Sequence, residues 1–286
     1  MTKILVLGAK GQLGQSFQYW ARHFPDFEFF FKDLPELNIL EYEQLEQYFT
    51  STFINIVINC AAYTAVDQAE DESKIAHQLN ALAIKSLCQL SKTFDFKLIH
   101  FSTDYVFDGT ASEPYRESDP LKPIGVYGQT KAEGETVMRT AGIDGWIIRT
   151  SWLFSPHGKN FVKTIFSQLQ NKAEINVVAD QTGSPTYALD LAATTLKGLS
   201  QNPKFNGVKI YHITNSGHTT WYGIANAIQK QINTNCKIHP VDTADYPTKA
   251  QRPKYSVLSC EKIIEEFNLN LEPWESALND CLKKIK

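Results

Sequence analysis

The chain has 286 residues, of which 43% are hydrophobic and 21% are charged, and its formal net charge at pH 7 is −3. These values are typical of a globular protein with one large or two small domains, and they exclude intrinsic disorder over most of the chain. The balance of 28 basic and 31 acidic residues gives no reason to expect a nucleic acid or an anionic membrane as the main partner.

The apolar runs and the cysteines point to the cytoplasm. No run approaches the roughly 20 apolar residues that span a bilayer, and the first run, residues 4–7, is too short for the core of a signal peptide. The five cysteines are widely separated and form no CxxC pair, so we expect neither a zinc site nor a disulfide framework. We therefore predict a cytoplasmic protein with reduced thiols, no bound metal and no membrane partner.

The first half of the chain alternates strand and helix patterns. Strands are predicted at residues 3–7, 27–31, 54–60, 97–102 and 146–150, and helices up to residue 24 and at residues 42–49, 70–94 and 129–140. The helix at 70–94 is expected to bury one side, which carries Ile75, Leu79, Leu82, Leu87 and Leu90. Near-continuous apolar strands in this alternation indicate an α/β fold with a doubly wound parallel sheet, covered by helices on both faces.

The pattern becomes less regular after about residue 151. Prolines and glycines cluster at residues 156–158, 183–185 and 247–253, while helical patterns remain at 161–169 and 221–232. We predict a first domain over residues 1–151 and a smaller mixed α/β domain over residues 152–286. The boundary is soft, because a late strand such as residues 176–178 could return to the first sheet.

A glycine-rich loop follows the first predicted strand. Residues 8–14 read GAKGQLG, which is a GxxGxxG spacing rather than GxGxxG. Glycines permit a tight turn and close approach of a pyrophosphate, and the following helix N-terminus offers free N–H groups. This order predicts a Rossmann-like, NAD(P)-binding first domain; the alternative is a turn that only packs helix on strand. The predicted cofactor-binding residues of the loop are Gly8, Lys10, Gly11, Gln12, Leu13 and Gly14.

The end of the second predicted strand bears on which nicotinamide cofactor is used. Asp33 lies about 20 residues after the glycines, where an acidic residue can bind the adenosine ribose hydroxyls, as suits NADH. Lys10 and Lys32 could instead neutralise the 2′-phosphate of NADPH. Both alternatives, NADPH and NADH, stay open.

Tyr127 and Lys131 lie four residues apart at the start of a predicted helix, and this spacing puts both side chains on one face. A free tyrosine, with a pKa of about 10, is a poor proton shuttle at neutral pH, and a neighbouring ammonium favours its phenolate. Thr103 follows the fourth predicted strand, and ligands of parallel sheets bind at the carboxyl ends of strands. We therefore expect Thr103 and Tyr127 to meet over one carbonyl oxygen.

The glycine loop, Thr103, Tyr127 and Lys131 together resemble the extended short-chain dehydrogenase/reductase superfamily. Longer segments narrow the resemblance to the dTDP-4-dehydrorhamnose reductases and cover nearly the whole chain in that family's order. These segments are residues 59–70 (NCAAYTAVDQAE), 102–109 (STDYVFDG), 123–131 (PIGVYGQTK), 149–152 (RTSW), 160–161 (NF), 180–186 (DQTGSPT) and 252–253 (RP).

The resemblance implies reduction of dTDP-4-dehydro-β-L-rhamnose to dTDP-L-rhamnose for cell-surface polysaccharide. It implies that hydride passes to the sugar C4, that Tyr127 protonates the alkoxide, that Lys131 holds the cofactor ribose and tunes Tyr127, and that Thr103 hydrogen-bonds the carbonyl. Further cofactor-binding residues are then Asp33, Asn38, Ile39, Ala61, Ala62, Tyr63, Thr64 and Phe101, besides Tyr127 and Lys131. The substrate-binding residues are Thr103, Asp104, Trp152, Asn160 and Arg252.

The chain departs from the family pattern at a few positions. Asn38 stands where many members have aspartate, which could alter contacts near the adenine, and Cys60 stands where they have a small residue. Some members dimerise through magnesium held by glutamates, and the matching positions here are Ser16 and Leu189. We therefore expect a monomer or a homodimer without a bridging metal.

Several residues have a second interpretation. Trp152 could be a core residue rather than a stacking platform for the substrate, and Arg252 could form a surface salt bridge rather than bind a diphosphate. The acidic segment 67–72 is expected to be a solvated helix start, and His100 a packed core residue.

Two other function classes compete with a reductase. A sugar-nucleotide epimerase needs only reversible hydride transfer with a retained cofactor, whereas a 4,6-dehydratase typically needs an Asp-Glu pair where this chain has Asp104 and Tyr105. The regulatory subunit of methionine adenosyltransferase also resembles this family and acts as a binding partner. The presence of Thr103, Tyr127 and Lys131 together favours the reductase.

Overall fold

The computed structural model describes residues 1–285 and is built around a six-stranded parallel sheet. The described residues contain six strands of this sheet and six further strands in three two-stranded sheets. In chain order the strands are β1 (Thr2–Leu7), β2 (Phe27–Lys32), β3 (Ile56–Asn59), β4 (Lys97–Thr103), β5 (Gly145–Thr150), β6 (Leu153–Phe154), β7 (Glu174–Val178), β8 (Thr182–Gly183), β9 (Thr186–Tyr187), β10 (Val208–His212), β11 (Thr219–Thr220) and β12 (Lys237–Val241). The central sheet has the order β10-β5-β4-β3-β1-β2, and each neighbouring pair runs parallel. Two halves that grow outward from β1 and β3 are typical of a Rossmann fold.

Helices cover both faces of this sheet. They are α1 (Gln12–Ala21), α2 (Tyr42–Ser51), α3 (Val66–Ala69), α4 (Ser73–His77), α5 (Ala83–Phe94), α6 (Val126–Thr140), α7 (Phe161–Asn171), α8 (Ala188–Ser200), α9 (Trp221–Ile232), α10 (Glu261–Phe267) and α11 (Trp274–Leu282). Alternate residues of β1 enter two different cores: Ile4 and Val6 pack with α1 and α8, and Leu5 and Leu7 with α2 and α5. The predicted doubly wound sheet is therefore confirmed.

The helix predicted at residues 70–94 is confirmed from Ser73 to Phe94, but the expected side of burial is wrong in its first half. The helical segment consists of α4, a π-helical turn at Gln78–Leu82 and α5, which follow one another without a gap. The wider π turn changes the phase of the helix, so an unbroken helical period no longer describes which side chains are buried. Ile75 and Leu82, expected in the core, are 47% and 44% exposed.

The chain after residue 151 contributes to two units of structure. The first unit is the central sheet with its helices, and the second unit is built around α7, α9 and α11. A late strand does return to the central sheet, but it is β10, beside β5; residues 176–178 belong to β7, which pairs with β12 in a separate sheet. A third apolar core lies among α7, α9 and α11. Within residues 1–285, no helix is both long and apolar enough to cross a membrane.

Candidate active site

A cavity of about 480 Å³ opens where the carboxyl ends of the central strands meet the second unit. Most residues predicted for cofactor and substrate line it: Gly11, Gln12, Leu13, Ala62, Thr64, Phe101, Thr103, Asp104, Tyr127, Lys131, Trp152, Asn160 and Arg252. The structure therefore brings together residues that lie as far apart in the chain as Gly11 and Arg252.

The glycine loop is fixed by close backbone packing. Gly8 has a φ of +73°, and a Cβ there would lie 2.6 Å from the backbone nitrogen of Ala61. A Cβ on Gly14 would lie 2.3 Å from the carbonyl oxygen of Gly8. Gly11 is the N-cap of α1 and, as a glycine, supplies no side-chain acceptor. The first N–H groups of α1 therefore point toward the cleft without a capping side chain, as an anion site requires.

Asp33, at the end of β2, is part of a tight turn. Its carboxylate accepts from the N–H groups of Lys10 and Leu34, each at 2.7 Å. Lys10 Nζ donates to the carbonyl of Leu34 at 2.5 Å, and Lys32 pairs with Glu36 at 3.1 Å. Because the two lysines and the two carboxylates balance each other, this corner favours neither NADH nor NADPH.

Three more predicted cofactor residues lie outside the cavity wall. Ile39 is buried in the core on the α2 side of the sheet, and the Asn38 side chain accepts from the N–H of Leu40 at 3.0 Å. Tyr63 turns its hydroxyl to Glu72, to which it donates at 2.6 Å, and this hydrogen bond raises the pKa of Tyr63 to about 12. A cofactor contact for these side chains stays a prediction.

Tyr127 and Lys131 lie in the first two turns of α6, which begins at Val126 rather than at 129. Lys131 Nζ is buried and donates to the carbonyl of Phe101 at 2.5 Å; burial lowers the pKa of Lys131 to about 8, although Glu135 opposes the shift. Burial also raises the pKa of Tyr127, so its hydroxyl is protonated at neutral pH. The geometry thus presents a phenol as a proton donor, with an amine one turn behind it.

Thr103 and Asp104 form a hydrogen-bonded pair at the end of β4. The Thr103 hydroxyl donates to Asp104 Oδ1 at 2.9 Å and accepts from the N–H of Tyr105 at 3.2 Å. Asp104 is buried, and burial raises its pKa to about 6. Thr103 also lies near the Tyr127 hydroxyl, where it lowers the pKa of that phenol against the larger, raising effect of burial.

Trp152 is held on both sides by protein. Its ring stacks on Trp221 with centroids 3.6 Å apart and an angle of 10°, and a Cβ on Gly183 would lie 2.5 Å from a ring atom. Trp152 itself has a φ of +46°, a conformation that is uncommon outside glycine and that is found at functional sites. The ring packs against protein and also lines the cavity, and a substrate contact for Trp152 stays a prediction.

Asn160 joins the two units. Its Oδ1 accepts from the N–H of Lys163 and caps α7, while its Nδ2 donates to Gln12 Oε1 at 2.9 Å. Ser155 donates to the same Gln12 oxygen, also at 2.9 Å. The start of α1 is therefore tied to the second unit, and a substrate contact for Asn160 stays a prediction.

Arg252 is an ion-paired residue of the cavity wall. Nη2 donates to Asp67 Oδ2 at 2.7 Å, and Nη1 donates to the Tyr105 hydroxyl at 2.9 Å. The side chain is 22% exposed, which leaves part of the guanidinium facing the cleft.

The acidic segment 67–72 is not only a solvated helix start, which corrects the expectation. Asp67 also accepts from the N–H of Ala250, and Glu70 Oε1 accepts from the N–H of Val126 at 2.9 Å, where α6 begins. Asp71 pairs with Lys249. These carboxylates attach the loop before Arg252 and the helix of Tyr127 to one short segment.

Asn80 is a positioning residue that the sequence did not reveal and that lies behind the cavity wall. It lies on the π turn, is fully buried, and clamps Tyr63 through both backbone groups, at 2.9 Å to N and 3.1 Å to O. Its Nδ2 also donates to Thr130 Oγ1 at 3.1 Å. One side chain therefore connects the loop after β3 with the helix that carries Lys131, and only the π turn, which is frequent at functional sites, marks it.

Comparison with known proteins identifies the chain. The family model described as "RmlD substrate binding domain" matches residues 1–286. The spore coat polysaccharide biosynthesis protein SpsK of Bacillus subtilis is 39% identical over 284 residues, covering 99% of this chain and 98% of that protein. The dTDP-4-dehydrorhamnose reductase of Aggregatibacter actinomycetemcomitans is 38% identical over 288 residues, covering 98% of each chain.

The chain belongs to the dTDP-4-dehydrorhamnose reductase family. The crystal structure of a dTDP-4-dehydrorhamnose reductase from Bacillus anthracis in complex with NADP superposes with a TM-score of 0.93 at 34% identity, covering 99% of this chain and 100% of that one. The resemblance stated from the sequence motifs is thereby confirmed.

The two family positions linked to a bridging metal are buried in this family member. Ser16 is fully buried and donates to the carbonyl of Gln12 at 2.9 Å, and Leu189 is 7% exposed. Over residues 1–285, no group of three or more His, Cys, Asp or Glu side chains is placed to hold a metal ion.

Proposed function

We propose that this chain reduces the C4 ketone of dTDP-4-dehydro-β-L-rhamnose to dTDP-β-L-rhamnose with NADPH or NADH. The observation that carries the proposal is the meeting of Thr103, Tyr127 and Lys131 in the same cavity as the glycine loop. The relatives named above supply the substrate, since reductases of dTDP-4-dehydrorhamnose match this chain over nearly its whole length.

The residues present fit a nicotinamide dinucleotide. The uncapped start of α1 suits a pyrophosphate, because Gly11 lines the cavity and has no side chain to compete for the first N–H groups of the helix. Among the residues that the structure describes, Ser102 Oγ and Thr150 Oγ1 in the cavity wall are buried without a hydrogen-bond partner, as expected of groups that bind a ligand. When bound, the cofactor supplies the hydride. The similar crystal structure from Bacillus anthracis is a complex with NADP.

The chain's own residues supply orientation and a proton. Tyr127, kept protonated by its raised pKa, donates to the alkoxide oxygen that forms at C4. Thr103 redirects its hydroxyl proton from Asp104 Oδ1 to the same oxygen and holds the ketone toward Tyr127. Lys131, in its ammonium form, stabilises the phenolate that remains. Arg252, positioned by Asp67, takes the diphosphate of the sugar nucleotide.

The test is oxidation of NADPH and NADH in the presence of dTDP-4-dehydro-L-rhamnose, followed by absorbance of the reduced nicotinamide. Tyr127→Phe keeps the ring but removes the proton donor, so we expect kcat to fall by at least about 100-fold with cofactor binding retained. Tyr19→Phe removes an equally small group from a side chain that is 41% exposed on α1, and it should leave kcat unchanged.

The other outcomes identify the competing functions. A wild-type protein that retains tightly bound NAD and consumes no NAD(P)H would indicate an epimerase. A protein that binds NADPH and turns over no dTDP-sugar ketone would indicate a regulatory subunit. We further infer a cytoplasmic monomer or homodimer that acts without metal, supported by its five free thiols and the burial of Ser16 and Leu189.

A further inference from the structure

A chain of buried polar groups runs behind Lys131, away from the reacting oxygen. Asn59, His100 and Lys131 are 1%, 1% and 2% exposed. Asn59 Nδ2 lies 3.3 Å from His100 Nδ1, and His100 Nε2 lies 3.3 Å from Lys131 Nζ. The chain begins at the backbone N–H of Ala61, which lies 3.1 Å from Asn59 Oδ1.

The direction of these hydrogen bonds is set at one end. A backbone N–H can only donate, so the amide atom of Asn59 that faces Ala61 must be the oxygen. The amide NH2 of Asn59 then faces His100, and because it also can only donate, His100 Nδ1 must accept. A neutral imidazole with an accepting Nδ1 carries its proton on Nε2. The His100 Nε2–H is therefore directed at Lys131 Nζ.

We propose that His100 is a positioning residue for Lys131: its Nε2–H donates to the lysine nitrogen and holds it as a neutral amine in the cofactor-free enzyme. An ammonium has no lone pair and would meet the Nε2–H donor to donor. Lys131 still donates one of its own protons to the carbonyl of Phe101.

Protonation of Lys131 thus requires a rearrangement of the hydrogen bonds that join Asn59, His100 and Lys131. The amine takes up one proton, the ring proton of His100 moves from Nε2 to Nδ1, and the hydrogen bond from Asn59 is given up while the imidazole stays neutral. This requirement lowers the proton affinity of Lys131 in addition to burial, which lowers the pKa of Lys131 to about 8 against the opposing effect of Glu135 and also keeps the pKa of His100 low.

Few other charges act on this amine. The titratable and charged groups that act on it are His100 from β4 and Glu135 from its own helix, whereas Asp104 and Tyr105 act on Tyr127. Glu135 is paired with Arg149 at 2.7 Å, so its charge is largely compensated. The tautomer of His100 therefore decides whether Lys131 is a neutral amine or an ammonium.

The chain contains a matched control for the tautomer. His212 is also buried, but its Nδ1 lies 3.1 Å from the carbonyl oxygen of Ser259, which can only accept, and its Nε2 lies 3.3 Å from Arg149 Nη1, which can only donate. His212 must carry its proton on Nδ1. Two buried histidines of one protein are thus expected to be opposite tautomers.

The first test is nitrogen-15 NMR of the histidine rings in the full chain without cofactor, at neutral pH. Loss of signals in His100→Gln and His212→Gln assigns the two rings. We expect a protonated Nε2 and an unprotonated Nδ1 in His100, and the reverse in His212. A His100 ring protonated on Nδ1, or on both nitrogens, would overturn the proposal.

The second test reverses the direction of these hydrogen bonds with Asn59→Asp, which keeps the side-chain size but offers two accepting oxygens. One oxygen still accepts from Ala61, and the other accepts from His100 Nδ1–H, so that Nε2 becomes an acceptor for an ammonium. We expect the His100 tautomer to reverse, the His212 tautomer to stay, and the alkaline limb of the kcat/KM profile for the cofactor, which reports the cofactor-free enzyme, to move up by about 1 pH unit or more. A reversed tautomer with an unmoved limb would show that His100 does not act on Lys131.

The inference rests on the proposed function for the role of Lys131, but its failure is distinguishable. The ring tautomer is measured without turnover. An active ketone reductase with the opposite His100 tautomer overturns the inference alone, and an inactive protein with the expected tautomer overturns the proposed function alone.

Discussion

The two walls of the cleft are built in different ways. The wall proposed for the cofactor, residues 8–14 and 61–64 (the cofactor wall), consists mainly of backbone segments that follow β1 and β3 and touch each other directly. The wall proposed for the substrate, Tyr105, Trp152, Trp221 and Arg252 (the substrate wall), is held by side chains from distant parts of the chain. Arg252 reaches Asp67 across 185 positions of sequence. A wall made of backbone tolerates almost no added atom, whereas a wall made of side chains depends on specific hydrogen bonds.

The largest effect should come from adding one carbon to the cofactor wall. In Gly14→Ala the new Cβ would lie 2.3 Å from the carbonyl oxygen of Gly8 and 2.6 Å from Ala9 Cα, and neither backbone atom can move freely. We expect the free energy of unfolding to fall by about 3 kcal/mol, measured by urea denaturation.

Gly11→Ala is the control for Gly14→Ala, with a much milder steric contact. Its Cβ would meet only the Gly8 oxygen, at 3.3 Å, so we expect a change within about 1 kcal/mol. Equal losses in the two variants would contradict the idea that backbone contact defines this wall.

On the substrate wall, we expect the KM for the sugar nucleotide to depend on the carboxylate of Asp67 and not on that of the nearby Asp71. Asp67→Asn weakens the ion pair that positions Arg252, and we expect the KM for the sugar nucleotide to rise about tenfold, or about 1.4 kcal/mol, with NADPH binding unchanged. Asp71→Asn breaks a pair with Lys249 in which both side chains are more than half exposed, so it should leave KM unaltered. A similar rise in both variants would mean that general charge, not the Arg252 contact, sets KM.

The same contrast explains what could be predicted from the sequence. Strand, glycine turn and helix are contiguous, so their pattern predicted both the sheet and the loop, and the four-residue spacing of Tyr127 and Lys131 predicted their shared face. The partners of Arg252 could not be predicted, because no local pattern records a contact with Asp67. The helix expected over residues 70–94 is present from residue 73, but its expected buried face was wrong, because apolar periodicity assumes a constant turn and the π turn that aims Asn80 at Tyr63 changes it.

The smallest effect should appear where the two walls join, at the start of α6. Gly125 cannot cap this helix, and Glu70, 55 residues upstream of it, does so from a different element by accepting from the N–H of Val126. Removing this acceptor in Glu70→Ala should lower the free energy of unfolding by about 1 kcal/mol and kcat by a few-fold, since Tyr127 is the next residue. Glu70→Gln keeps an accepting oxygen and loses only the charge at the helix N-terminus, so it should restore most of both. If Glu70→Gln is as impaired as Glu70→Ala, the negative charge rather than the cap positions the helix; if neither variant changes kcat, Tyr127 is held by the packing of α6 alone.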